Sequence, residues 1–220
     1  MEVLRHPLFI PIVVSCIFVL LVLVARLGQG STRAAGYLFG GLLGLALALG
    51  VIPGVGRWQY EGLNLNLGKV LVFFTLALIL PSPVKWSKAA WAWLCAGLAG
   101  LPLLGWQMGL LHWQPAVSAA LLWFALNNLF SVLAEDFFFR RFVQDHLSGL
   151  GVVLEILVTG ALFGLAHWSS GQTYAFLAGI AGCCYAAMYR ASGDSVWAVS
   201  ALHWLVNLTG AVLFAHGLRT

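Results

Sequence analysis

Glu135, His167, His203 and Asn207 are a carboxylate, two imidazoles and an amide, and each lies within a run of apolar residues. Polar side chains are costly in such runs and tend to face one another or a water-filled space. Glu135 adjoins Asp136, Arg140 follows Asp136 by four residues, and Asn207 follows His203 by four. At about 100° per residue, positions four apart share a helix face. Arg140 is therefore expected to neutralise Asp136, which leaves Glu135 turned toward another partner. Beside the apolar wall of Phe137, Phe138 and Phe139, Glu135 suits a general base that takes a proton from water. Such a base needs donors for the oxyanion that forms when the water attacks a carbonyl, and His203 and Asn207 are donors of that kind. His167 is available to share the water with Glu135 and fix its direction. No Ser or Cys stands beside a base as a nucleophile.

The elements that must position these residues are membrane helices. Charged residues make up 8% of the 220 residues and hydrophobic ones 61%, with a mean hydropathy of +0.95. Soluble domains carry roughly 25% charged residues, so the chain is expected to be an integral membrane protein. Apolar stretches recur at 8–27, 35–55, 67–82, 89–111, 116–147, 151–168, 173–191 and 195–216. Most are long enough to cross a hydrocarbon core about 30 Å thick as helices. The third is short and ends at Pro81-Ser82-Pro83, which gives seven or eight spans in one all-α polytopic bundle. The run after Arg5 is too long for a signal-peptide core and is read as a retained span. The stretch from Gly54 to Gly68 is expected to be a loop.

Helix depth tests whether the polar pieces can meet. At about 1.5 Å per residue from the turns near Ser148-Gly149 and Ser192-Gly193-Asp194, Glu135 and His167 lie roughly 20 and 24 Å deep, His203 and Asn207 roughly 12 and 18 Å. All four fall near mid-bilayer.

Other polar residues have local explanations. Glu155, about a turn into its helix, suits an interfacial position at the positive end of the helix dipole, and Asn127 and Asn128 are candidates for hydrogen bonds to a neighbouring helix. Cys16, Cys95, Cys183 and Cys184 lie in apolar segments and are read as buried small hydrophobes. Gly36, Gly40 and Gly44, like Gly160 and Gly164, recur every four residues, a spacing that lets helix backbones approach. Arg26, Arg33, Lys85, Lys88, Arg141 and Arg190 fall on one side of the membrane, against Arg5, Arg57, Lys69 and Arg219 on the other. The excess weakly favours both termini outside. No clustered basic face for nucleic acid exists.

Three segments together resemble a known family. Glu135-Asp136-Phe137-Phe138-Phe139-Arg140 resembles its EExxxR motif, Phe163-Gly164-Leu165-Ala166-His167 its FxxxH motif, and His203-Trp204-Leu205-Val206-Asn207 its HxxxN motif. The family is CPBP, which comprises CAAX prenyl endopeptidases and bacteriocin-processing or immunity (Abi) membrane proteins. The resemblance covers 116–220 as catalytic core helices, while 1–115 holds membrane helices without diagnostic motifs, all in one integral domain. It implies a glutamate-dependent intramembrane endopeptidase that needs no metal or cofactor. Glu135 and His167 would activate the water, His203 and Asn207 would form the oxyanion hole, and Asp136 and Arg140 would support them. The second acid is Asp136 where the family more often has Glu, and Arg141 stands where a small Gly is common. The expected substrate is a membrane-anchored peptide or protein tail entering from the lipid bilayer, and the expected setting is a bacterial inner membrane. Two alternatives remain open: a zinc hydrolase with Glu135, His167 and His203 as ligands, and a non-enzymatic immunity or scaffold protein binding a peptide with the same cluster.

Overall fold

A computed structural model describes residues 9–216. Arg5 and Arg219, used above to orient the chain, lie outside the described residues. Among the described residues eight α-helices form the bundle: α1 (Phe9–Leu27), α2 (Gly30–Leu49), α3 (Leu67–Ile79), α4 (Lys88–Gln107), α5 (Ala120–Asp136), α6 (Val152–Ala166), α7 (Gln172–Ala191) and α8 (Val196–Leu213). Each falls within one of the expected apolar stretches or overlaps it closely. Five helical stretches among the described residues are long and apolar enough to cross a membrane: Ile10–Leu27, Gly30–Leu49, Lys88–Gln107, Ala120–Leu150 and Val196–Leu213. The helices α3 and α6 are apolar but shorter. The chain is an all-α membrane helical bundle.

The segment from Gly54 to Gly68 is more ordered than a loop. Strands β1 (Arg57–Tyr60) and β2 (Leu63–Asn66) pair antiparallel as a hairpin. Its turn uses Glu61 and Gly62 at φ of 48° and 110°, a left-handed geometry that Gly adopts without a steric cost. A second short pair, β3 (Leu111–Trp113) with β4 (Phe214–His216), ties the end of α4 to the end of α8.

The largest departure from simple helical expectation follows α5. Phe137–Gln144 is a π-helical segment, and Asp145–Leu150 tightens into a 3₁₀ turn before α6. Phe137, Phe138, Phe139, Arg140, Phe142 and Gln144 are all buried. Burial on every side means that this segment runs through the centre of the bundle, since an ordinary surface helix exposes one face. Phe137 meets Phe73 and Trp197 edge-on, Phe139 meets Phe163, and Phe138 fills the space beside Gly44. The three phenylalanines are core packing.

Two glycine seams set the helix spacing. A methyl group at Gly160 would fall 2.2 Å from Cys183 Sγ, and one at Gly164 would fall 2.7 Å from Ala175 O, so α6 and α7 are in backbone contact. The same close approach joins α2 to α1, where a methyl at Gly36 would lie 2.4 Å from Ala25 N. The α6–α7 seam fixes the level at which His167, just beyond α6, is presented.

Candidate active site

Glu135 and Asp136 close the α-helical part of α5, and His203 comes from α8. The two carboxylates approach opposite nitrogens of one imidazole: Asp136 Oδ2 lies 3.3 Å from His203 Nδ1, and Glu135 Oε2 lies 4.0 Å from His203 Nε2. An ionised carboxylate only accepts, so Nδ1 carries the hydrogen toward Asp136 and Nε2 is left facing Glu135. Tyr185 of α7 stacks on the His203 ring with centroids 4.5 Å apart, and Phe163 of α6 meets it edge-on at 5.8 Å. His203 is thus held in orientation from α5, α6 and α7.

Arg140 pairs with Asp136, as the four-residue spacing predicts, but without a hydrogen bond. Its Nε is 3.8 Å from Asp136 Oδ1, an ionic contact beyond hydrogen-bond length, and none of its three nitrogens has a hydrogen-bond partner among the described residues. The guanidinium instead lies 5.6 Å from the Phe163 ring centre and 5.9 Å from that of Tyr185. Aromatic faces attract a desolvated cation. The pairing of Asp136 with Arg140 survives although Arg140 lies in the π segment. Asp136 is consequently shared between Arg140 and His203.

Glu135 is not free of partners either. Its Oε1 accepts a hydrogen bond from Lys69 Nζ at 2.5 Å and another from Ser131 Oγ at 3.2 Å. Lys69 also donates to Ser131 Oγ. Lys69 belongs to α3, in the half of the chain without motifs, where its place at the edge of an apolar run reads as a boundary charge. It lies inside the stretch 67–82, and the rule that intramembrane charges need partners applies to it as much as to Glu135.

His167 follows α6, with Nδ1 2.8 Å from Phe163 O. A carbonyl only accepts, so Nδ1 carries a hydrogen toward Phe163 O. The ring packs against Phe163 and Tyr174, with centroids at 4.7 and 5.9 Å, and it lies within electrostatic reach of Glu135. Asn207 Nδ2 donates to Asn128 Oδ1 at 3.2 Å, which joins α8 to α5. Asn127 faces elsewhere: it accepts from Asn64 N at 2.8 Å and donates to Gly62 O at 3.0 Å, holding the β1–β2 hairpin.

Between that hairpin and α5 opens a cavity of about 320 Å³ whose lining includes Arg57, Asn64, Lys69, Asn127, Asn128 and Ser131. Its lining includes Lys69 and Ser131, which bind Glu135, and Asn128, which binds Asn207, but not Glu135 or Asn207 themselves. Among the described residues, no three His, Cys, Asp or Glu side chains converge as a metal-binding group.

The family model described as type II CAAX prenyl endopeptidase Rce1-like matches residues 117–209. Over this stretch the chain is similar to the Rce1-like family. No curated protein and no solved structure gives a significant match to the chain. The Rce1-like stretch contains Glu135, Asp136, Arg140, His167, His203 and Asn207, and Lys69 lies outside it. The match and the apolar helices together support a membrane endopeptidase in general terms.

Proposed function

We propose that the chain is a glutamate-dependent intramembrane endopeptidase that hydrolyses a peptide bond in a membrane-anchored peptide or C-terminal tail, with a bacterial inner membrane as its setting. The observation that carries this reading is the asymmetry of Glu135. Oε1 is bound by Lys69 and Ser131, whereas Oε2 takes no hydrogen bond from the described residues and faces His203 Nε2 at 4.0 Å. An ionised carboxylate with one open oxygen can accept a proton from water as that water attacks a carbonyl carbon.

In the proposed reaction the water oxygen bonds to the carbonyl carbon while its proton passes to Glu135, and the carbonyl oxygen becomes an oxyanion. Unprotonated Nε2 of His167 accepts the other water hydrogen and orients the nucleophile. Asn207, whose amide has a second N–H beyond the one given to Asn128, is a donor for the oxyanion, and His203 is the other when its ring is the imidazolium, with Nδ1–H given to Asp136 and Nε2–H free. Collapse breaks the C–N bond, and the leaving nitrogen takes the proton held by Glu135. Asp136 orients His203, and Arg140 balances the charge of Asp136 from behind the rings of Phe163 and Tyr185.

The test compares the C termini of membrane proteins in cells carrying the wild-type chain and cells carrying Glu135→Gln. Loss of defined C termini in the variant, with equal amounts of folded protein, is the expected result. An identical set of ends in both strains would defeat the proteolytic reading and leave peptide binding in its place.

A further inference from the structure

Lys69 is placed with more care than a boundary lysine requires. Asn66 caps α3 by accepting from Lys69 N at 3.1 Å, and the same side chain donates to Ala48 O at 3.2 Å. At Gly68 a methyl group would fall 2.1 Å from Leu47 O, so the first turn of α3 is pressed directly onto α2. The backbone on both sides of Lys69 is therefore clamped, and from this fixed origin its side chain crosses to α5. There it meets Ser131 and Glu135, which are four residues apart on one face of α5.

We propose that Lys69 is the positioning residue of the catalytic carboxylate: with Ser131 it pins Oε1 of Glu135, so that Oε2 alone is presented to His203 and to the attacking water. The proposal rests on the reading of Glu135 as the base. Groups from several helices lie around that carboxylate: Lys69 from α3, Ser131 from α5 itself, His203 from α8, and, within electrostatic reach, His167 beyond α6 and Tyr174 from α7. Of these, Lys69 is the one cation that hydrogen-bonds it. An opposite charge at such a distance favours the ionised form of a carboxyl group, and a side chain held at both oxygen and backbone keeps a single rotamer. Catalytic competence in the Rce1-like stretch then depends on a residue contributed by the half of the chain that carries no motif.

The chain has four glutamates, so the carboxyl band of Glu135 can be read by infrared spectroscopy on protein labelled with ¹³C-glutamate and assigned by its disappearance in Glu135→Gln. At neutral pH the wild type and Lys69→Arg are expected to show the ionised carboxylate band, and Lys69→Met the carboxylic-acid band. Cleavage by Lys69→Met, scored on the C termini lost in Glu135→Gln, is expected to fall about a hundredfold, the effect of misplacing a reacting group. If Lys69→Met does not accumulate as folded protein, Lys69→Gln removes the charge while keeping a donor and gives the same two readouts. A Lys69→Met (or Gln) protein whose band or whose cleavage matches the wild type overturns the proposal, as does a Lys69→Arg protein that lacks the carboxylate band. Failure of the underlying reading looks different: Glu135→Gln would then leave every C terminus unchanged, whatever the band does.

Discussion

Two clusters of charged residues occupy this apolar bundle, and they differ in how completely their partners satisfy them. Beyond the π segment, Glu155 of α6 accepts from Gln144 Nε2 at 2.6 Å and from Arg190 Nε at 2.7 Å. Asp145 is bound by Arg141, Arg190 and the Tyr189 hydroxyl, and Arg190 also pairs with Asp194 at 2.6 Å. Arg141 adds a bond to Pro81 O at 3.1 Å and so draws the end of α3 into the same network. Around Glu135, by contrast, Oε2 is open, Asp136 Oδ1 is buried without a hydrogen bond, and Arg140 has none. The same residue types serve as a clasp where each carboxylate is hydrogen-bonded by an arginine, although Gln144 Oε1 and Arg190 Nη2 are buried there without a bond, and as a candidate reaction centre where Arg140 makes none. Unpaired polar atoms are expensive to bury, so the four at Asp136 and Arg140 are a better guide to function than charge itself.

Variants that separate the clusters should give opposite phenotypes. Glu135→Gln is expected to lower turnover by about 10²- to 10⁴-fold, the usual contribution of a general base, while its thermal unfolding stays close to that of the wild type. Arg190→Met should do the reverse: Glu155 loses its buried counter-ion, at a cost of about 3–5 kcal/mol in stability. Thermal unfolding in detergent would show this, and the protein that remains folded should retain its turnover per molecule. Asn207→Ala is expected to reduce turnover by about 10²- to 10³-fold, the effect of removing one oxyanion donor, with substrate binding largely kept. Smallest is Asn127→Ala, which removes two hydrogen bonds to the hairpin, each worth about 1 kcal/mol. It should raise amide exchange across residues 57–66 and leave turnover within a few fold. An Arg190→Met protein that is stable but inactive, or a Glu135→Gln protein that unfolds, would erase the distinction between the clusters.

Much of this was legible in the sequence because the signals are local. Long apolar runs broken by Pro81-Ser82-Pro83, Ser148-Gly149 and Ser192-Gly193-Asp194 mark helix ends, since those residues favour turns. The depth of Glu135 and His203 follows from counting residues, and the structure brings their side chains within 4.0 Å. The Asp136 partner of Arg140 was legible from their four-residue spacing, whereas its contacts with the rings of Phe163 and Tyr185 were not, because those residues lie on other helices. The β1–β2 hairpin was hidden by its short strands, although Leu63 and Leu65 alternate with Asn64 and Asn66 after a Glu-Gly turn. Tyr185 gives no sign of stacking on His203, since an aromatic residue in an apolar helix most often simply packs. Lys69 was misread for a different reason: its partner lies 66 residues away in the chain, and only tertiary packing pairs them.

The π segment also has a consequence for rotational phase. Asp136 and Asp145 are nine residues apart (145 − 136), and at about 100° per residue an ordinary α-helix would turn them half a revolution out of phase. One of them would then point away from α7 and α8. The wider turn of Phe137–Gln144 rotates less per residue, and both carboxylates reach that flank, Asp136 at His203 and Asp145 at Tyr189 and Arg190. The segment works as a vernier, bringing two polar levels of one continuous helix into the same angular setting.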